Sequence, residues 1–295
     1  MDLKKHVQRL KNFDQVQKIV SLNRNLSLIE INLLQKRIRS SLSNSVFAKI
    51  IIQKLHDLRN VNSIYFSEDK DLLFNKKKPK KTLWIYLTNV QKYTKSFYER
   101  TDKVLEKNHD IHDSYISLGI ESREKIQSLN YKLIASYDDF STKDLSIELS
   151  ELIRIQIEEE KFDEVKMIVS SNKLKDYTAQ LYPINNFYFK YPKSQIDSLR
   201  SKNINFEKFQ ILPNIDEFFN SILNFYFQST LEALIAEASF INYKNKLIEE
   251  NKQLKKIDEE ILKTKIKINK EKRELEIEEI VMITQNNKKE FQRAK

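Results

Sequence analysis

The sequence predicts an α/β fold: a long antiparallel coiled coil of N- and C-terminal helices with a central Rossmann-like α/β domain between them. Three observations predict it. After Pro213 the chain contains neither proline nor glycine, and Leu247, Leu254, Ile261, Ile268, Leu275 and Met282 recur every seventh residue, one apolar edge of a coiled coil. Residues 2–59 also lack both helix breakers. Between these stretches, short apolar runs of strand length alternate with helical periodicity, the mark of a mostly parallel sheet covered by helices. The expected division is therefore 1–60, 61–213 and 214–295.

The N-terminal helix carries Leu3, Val7 and Leu10, then Leu22, Leu26, Ile29 and Leu33. The stripe next drifts through Leu34, Ile38, Leu42, Val46 and Ile50, a run of fours that rotates around a straight helix and implies a changing partner. Unbroken, this helix would reach about 85 Å. Residues 60–81 break the pattern and end in the basic run Lys76, Lys77, Lys78, Pro79, Lys80 and Lys81. A solvated linker explains that run better than an anion-binding patch does.

Leu83 to Thr88 reads as a buried parallel strand. A helix over 95–107 follows, then a strand at Tyr115–Leu118, a short helix over 120–129 and a strand from Tyr131 to Ser136. Residues 144–159 form an amphipathic helix with Ser141 or Thr142 as the expected N-cap. Val165–Val169 is the next strand, Gln180–Ile184 a further candidate, and Phe209–Leu212 an expected edge strand stopped by Pro213 before a helix beginning near Asp216.

That last helix, at about 1.5 Å per residue, would extend on the order of 120 Å and must project from a domain of this size. Its second seam reads Glu250, Ile257, Thr264, Glu271 and Glu278, apolar only at Ile257. So thin a stripe grips one partner helix and leaves the other faces to water or to another protein.

Composition excludes several classes of function. The 295 residues are 40% apolar and 32% charged with a net charge of +10, enough for a real core, with charges interleaved in sign as on solvated helices. There is no cysteine, hence no disulfide, thiolate nucleophile or cysteine metal site. No run approaches membrane-spanning length, and the polar start is not a signal peptide, so a soluble or peripheral protein is expected. The single glycine, Gly119, rules out a glycine-rich phosphate cradle. The excess of Lys, Asn and Ile over Gly, Ala and Pro points to an AT-rich genome.

Catalytic and ligand-binding candidates are sparse. His109 and His112, flanked by Asp110 and Asp113, have the residue types for a divalent metal, but no third distant ligand accompanies them and a solvated loop is the favoured reading. Glu158, Glu159 and Glu160 read as a solvated helix end. The lysine-rich stretch 252–273 mixes in Asp258, Glu259, Glu260 and Glu271 and lacks aromatics for base stacking, which argues against nucleic acid. No catalytic residue, metal or cofactor is expected. The residues argue for a mechanical or scaffolding part.

Several stretches also resemble the γ subunit of F-type rotary ATPases and ATP synthases. They are Gln17-Lys18-Ile19, the run Phe162 to Val169, Leu181-Tyr182-Pro183-Ile184, Pro213 followed thirteen residues later by Tyr226, and Glu276-Ile277-Glu278-Glu279-Ile280-Val281. The resemblance covers nearly the whole chain in order. The chain departs from the family where a glycine-bearing segment is due near Asn89–Tyr98, at Leu22–Leu26 and around Phe240–Lys246, which suggests a diverged F-type-like paralogue of the kind found in wall-less mollicutes.

The resemblance implies a non-catalytic central shaft inside a hexameric ring of α-like and β-like ATPase subunits. Its foot would carry an ε-like subunit and meet a membrane ring or other machinery, such as that of gliding, at the inner face of the cell membrane. Gln17, Lys18, Ile19, Glu276, Ile277, Glu279, Ile280 and Val281 would contact the ring, with Lys265, Lys267 and Lys272 on charged flanks. Leu247, Leu254, Ile257, Ile261, Ile268, Leu275 and Met282 would hold the helix pair together. One copy per ring means that the shaft is no homo-oligomer. The alternative is a coiled-coil scaffold or cytoskeletal adaptor.

Overall fold

A computed structural model describes residues 2–59, 63–66, 80–88, 95–140, 144–159, 161–171, 173–190 and 210–293. The element order is α1 (Asp2–Arg59), β1 (Thr82–Leu87), α2 (Lys95–Lys107), β2 (Ser114–Leu118), α3 (Ile120–Ser128), β3 (Leu133–Tyr137), α4 (Leu145–Glu158), β4 (Glu164–Ile168), β5 (Thr178–Tyr182) and α5 (Ile215–Arg293). The chain divides into two compact units: Met1–Ile29 with Lys246–Lys295, and Glu30–Asn245.

The second unit is built on a five-stranded sheet of order β3-β2-β1-β4-β5. The first four strands run parallel and β5 runs antiparallel at the edge. β1 and β2 are buried along their whole length, which is why they read as continuous apolar runs rather than alternating ones. Side chains of β1 divide between the two faces, as the two-residue strand period requires. Leu83, Ile85 and Leu87 join Ile116, Leu118, Val165 and Met167 in the larger core, against Ile52 and Leu55 of α1, Leu149 and Ile153 of α4, and Phe219, Leu223, Tyr226 and Phe227 of α5. Trp84 and Tyr86 point the other way, with Tyr115 and Ile168, onto Leu105 of α2 and Ile126 of α3. The sheet is thus covered on both faces.

Gly119 sits where β2 turns into α3 with φ 105° and ψ 154°, a region open essentially to glycine alone. A Cβ there would lie 2.2 Å from the carbonyl oxygen of Thr88, at the end of β1. The one glycine of the sequence is therefore required by both backbone angle and space.

Several sequence expectations shift. The third strand begins at Leu133, because Asn130 turns with φ 55° and Tyr131 stacks on His109 at 3.6 Å between ring centroids. β5 starts at Thr178 and ends before Pro183, which has no N–H to continue a ladder. The described part of the expected strand at Phe209–Leu212, residues 210–212, is not a strand. Instead Asn214 caps α5. Its Oδ1 accepts from the Glu217 N–H at 2.8 Å, and its Nδ2 donates to Glu217 Oε1 at 2.8 Å, a reciprocal pair closely related to the capping box. Asp144 stands at the N-cap of α4 and makes no side-chain cap bond; Ser141 and Thr142 lie outside the described residues, as do Lys76–Pro79 of the basic run.

The segment His109–Asp113 is solvated at Asp110, Ile111 and His112, as expected, and anchored at its two ends. Asp113, 3% exposed, accepts from the Thr82 N–H, the Trp84 indole and the Asp110 N–H at 3.0, 2.9 and 3.0 Å, so its charge is met by three donors. His109 Nδ1 lies 2.8 Å from the Tyr115 hydroxyl. Glu158 likewise has a partner: its Oε1 accepts from the hydroxyl of Tyr65, which a short 3-10 turn at Ser63–Tyr65 delivers to the core.

Candidate functional site

In the first unit the N-terminal part of α1 pairs antiparallel with α5. His6 Nε2 lies 3.2 Å from Glu271, Arg9 3.3 Å from Glu260, and Gln17 Nε2 donates to Asp258 at 2.6 Å. Lys263 first, and Arg9 after it, hold the Glu260 carboxyl below its ordinary range.

Burial on α5 follows alternating steps of three and four. Leu247, Leu254 and Ile257 are half-buried, while Glu250, Ile261, Thr264 and Ile268 are buried. As far as Glu271, both expected seams therefore face the partner, the polar positions included. Ser27 of α1 is buried as well, and the unit leaves Ser27 Oγ, Glu250 Oε2 and Glu271 Oε2 without hydrogen-bond partners among the described residues. Such a seam is weakened by its own polar groups, since each buried unpaired oxygen forgoes its hydration.

Leu275 and Met282 are exposed, which corrects their expected place in the seam. Both lie beyond Glu271, which stands opposite His6 in the first turns of α1. Glu276, Ile277, Glu279, Ile280 and Val281 are exposed along the same stretch, and so are Lys265, Lys267 and Lys272.

Leu3, Val7 and Leu10 are half-buried, as their spacing suggests, but beyond Phe13 the buried face of α1 is not the one its apolar spacing suggests. Gln17, Val20, Arg24 and Ser27 turn inward to varying degrees, while Lys18 and Ile19 are exposed. Leu22, Leu26 and Ile29 are 64%, 60% and 55% exposed. At 100° per residue, Ile19, Leu22, Leu26 and Ile29 form one continuous ridge on the side opposite Gln17, Arg24 and Ser27. The helix is inverted here, with a mixed polar seam inside and aliphatic side chains outside. An exposed apolar ridge is a candidate surface for another body to cover.

The second unit holds the crevice at which α/β sheets usually bind ligands, beyond the C-terminal ends of β1 and β4 where the strand order reverses. In this chain a partly buried ion pair stands past the end of β4. Glu237 of α5, 1% exposed, accepts from Ser171 Oγ at 2.8 Å and from Lys173 Nζ at 2.7 Å. The Lys173 ammonium also lies 5.6 Å from the ring centres of Phe189 and Phe240. Nothing in sequence spacing singles out Glu237, because its partners lie on a distant strand end. Among the described residues no group of three His, Cys, Asp or Glu could hold a metal ion, and no helix is long and apolar enough to cross a membrane.

No family model matches the chain. Uncharacterized protein UU050 of Ureaplasma parvum serovar 3 is 32% identical over 293 residues, which cover 98% of this chain and 96% of that protein. The chain belongs to the UU050 family. Among solved structures, a chain in the rotor of the Euglena gracilis mitochondrial ATP synthase is similar with a TM-score of 0.47 and 10% identity, over 93% of this chain and 98% of that one. A chain in the OSCP/F1/c-ring structure of the same enzyme gives a TM-score of 0.47 and 11% identity, over 96% and 92%. One from the central stalk and c-ring of the Tetrahymena thermophila mitochondrial ATP synthase gives 0.46 and 12%, over 80% and 99%.

Proposed function

We propose that this protein is the non-catalytic, γ-like central shaft of an F-type-like rotary ATPase. It couples ATP hydrolysis or synthesis in a ring of α-like and β-like subunits to rotation. The observation that carries the reading is the exposed ridge of α1: Ile19, Leu22, Leu26 and Ile29 lie exposed with Lys18, and the resemblance puts ring contacts at Lys18 and Ile19, whereas Gln17 of the same stretch is held by Asp258 in the helix pair. An aliphatic ridge slides against an apolar sleeve without the directional bonds that would lock it. One asymmetric shaft in a threefold ring meets each catalytic subunit with a different face, and so biases their nucleotide-site conformations differently. Lys265, Lys267 and Lys272 meet the ring on charged flanks, and the exposed 276–281 stretch of α5 adds to the bearing surface.

The α/β unit serves as the foot, where an ε-like subunit and a membrane ring or other machinery, such as that of gliding, take up the rotation. The complex works at the inner face of the cell membrane.

The absence of cysteine makes the test direct. A single cysteine placed by Leu22→Cys or Leu26→Cys is labelled with a photo-crosslinker in the native host, and the captured partner is identified. Crosslinks to nucleotide-binding ring subunits, at one shaft per ring, are expected. Crosslinks to a second copy of this chain, or to filament proteins alone, would replace the shaft with a coiled-coil scaffold.

A further inference from the structure

The second unit contains a cavity of about 410 Å³, within the roughly 300–1,000 Å³ typical of small-molecule sites. It lies beyond the C-terminal end of β3, between that loop, the first turn of α4, and the faces of α1 and α5 that carry Arg37 and Glu232. In a chain of net charge +10 its wall is acidic: Glu30, Asp138, Asp139 and Glu232 against Arg37 alone.

Most of these groups are engaged. Glu232 takes Arg37 Nε at 2.9 Å and Ser41 Oγ at 3.1 Å, and Asp138 takes Arg123 Nη1 at 2.7 and 2.8 Å. Glu30 has no hydrogen-bond or ion-pair partner among the described residues. A second feature is independent of the acidic wall. Asn242, 3% exposed, lines the cavity and accepts the Tyr98 hydroxyl on Oδ1 at 3.0 Å, but its Nδ2 has no partner among the described residues. A buried amide donor left unpaired is costly, and a ligand acceptor would satisfy it.

From this arrangement we infer that the cavity binds a small organic cation, an ammonium or guanidinium compound that also bears a carbonyl or hydroxyl oxygen. The cation meets Glu30 in the negative field of Asp138 and Asp139, and the oxygen accepts from Asn242 Nδ2. Phe140 and Tyr243, also in the wall, offer the aromatic faces on which organic cations rest. A metal ion is the wrong occupant. The volume is far larger than an ion needs, and three of the four carboxylates already have partners.

Isothermal titration of the full chain with argininamide, lysinamide, cadaverine and magnesium chloride tests this inference. The two amides are expected to bind, and cadaverine, which has no acceptor oxygen, to bind more weakly. Glu30→Gln should weaken argininamide at least about tenfold, the loss of one charge-assisted hydrogen bond. Asn242→Ala should weaken the amides but not cadaverine. If Asn242→Ala disturbs the fold by circular dichroism, the half-exposed Glu30→Gln decides alone. No heat with either amide at millimolar concentration, unchanged affinity in Glu30→Gln, or magnesium displacing argininamide would each overturn the inference.

Discussion

Lys173 Nζ stands 2.7 Å from Glu237 Oε2, tying the loop after β4 to the first third of α5. The carboxylate is fully buried while the lysine side chain is 41% exposed, so the charge is introduced from the rim and neutralised inside. Lys173→Ala leaves Glu237 with only the Ser171 hydroxyl. A loss of about 1–3 kcal/mol is expected, less than for a pair buried on both sides. Glu237→Gln keeps the bond from Ser171 and should cost less. Urea midpoints of the two variants check the order.

Gly119→Ala would place a Cβ against the Thr88 carbonyl and strain a φ of 105°. The angle alone costs on the order of 1–3 kcal/mol, and the contact adds to it because a backbone oxygen yields less readily than a side chain. Ser122→Ala is the control. It removes only the bond from Ser122 Oγ to the Gly119 carbonyl at 2.7 Å, for about 1 kcal/mol. Thermal unfolding should show the first variant melting well below the second.

The polar seam predicts changes in the opposite direction. Glu250 and Thr264 are 7% and 4% exposed, and Glu250 Oε2 has no partner among the described residues. Among the described residues its other oxygen meets only Lys246 Nζ, at 4.0 Å, so Glu250→Leu replaces a buried, weakly paired carboxylate with apolar volume and should stabilise the helix pair by about 1 kcal/mol. Thr264→Leu should follow with a smaller gain. Melting followed by circular dichroism at 222 nm checks both, and a fall in midpoint for Glu250→Leu would show the carboxylate to be satisfied.

Glu164 gives a pH signature. Burial would raise its carboxyl, but the ammonium groups of Lys166 and Lys80, the latter at 2.9 Å, outweigh burial and hold it below the ordinary value of 4.5. A depressed carboxylate contributes stability above its unfolded value and loses it as the pH falls through the folded one. The wild type should therefore lose stability below about pH 4.5 more steeply than Lys166→Met with Lys80→Met, whose profile flattens there. Urea midpoints between pH 3 and 7 make the comparison.

Much of the fold was legible because its signals are local. The run from Leu83 to Leu87 is apolar throughout because helices cover both sides of β1, and the period of α4 follows from one buried face. What stayed hidden depends on partners. The spacing of Leu22, Leu26 and Ile29 locates a helix, but which face is buried is decided by α5, and α5 selects Gln17, Arg24 and Ser27. Sequence likewise cannot place Glu237 at the strand ends, because its partners Ser171 and Lys173 lie some sixty residues away. The direction of β5 and the Asn214 cap escaped for a simpler reason: short loops on either side carry no period.

Asn130, Asp176 and Tyr177 adopt left-handed backbone angles, with φ of 55°, 52° and 56°, where glycine would sit without steric cost. In this chain they bear the strain of a side chain instead. Those three turns thus carry a Cβ in left-handed backbone. The junction between β2 and α3 admits none, because its angle and the Thr88 carbonyl together exclude a side chain of any size.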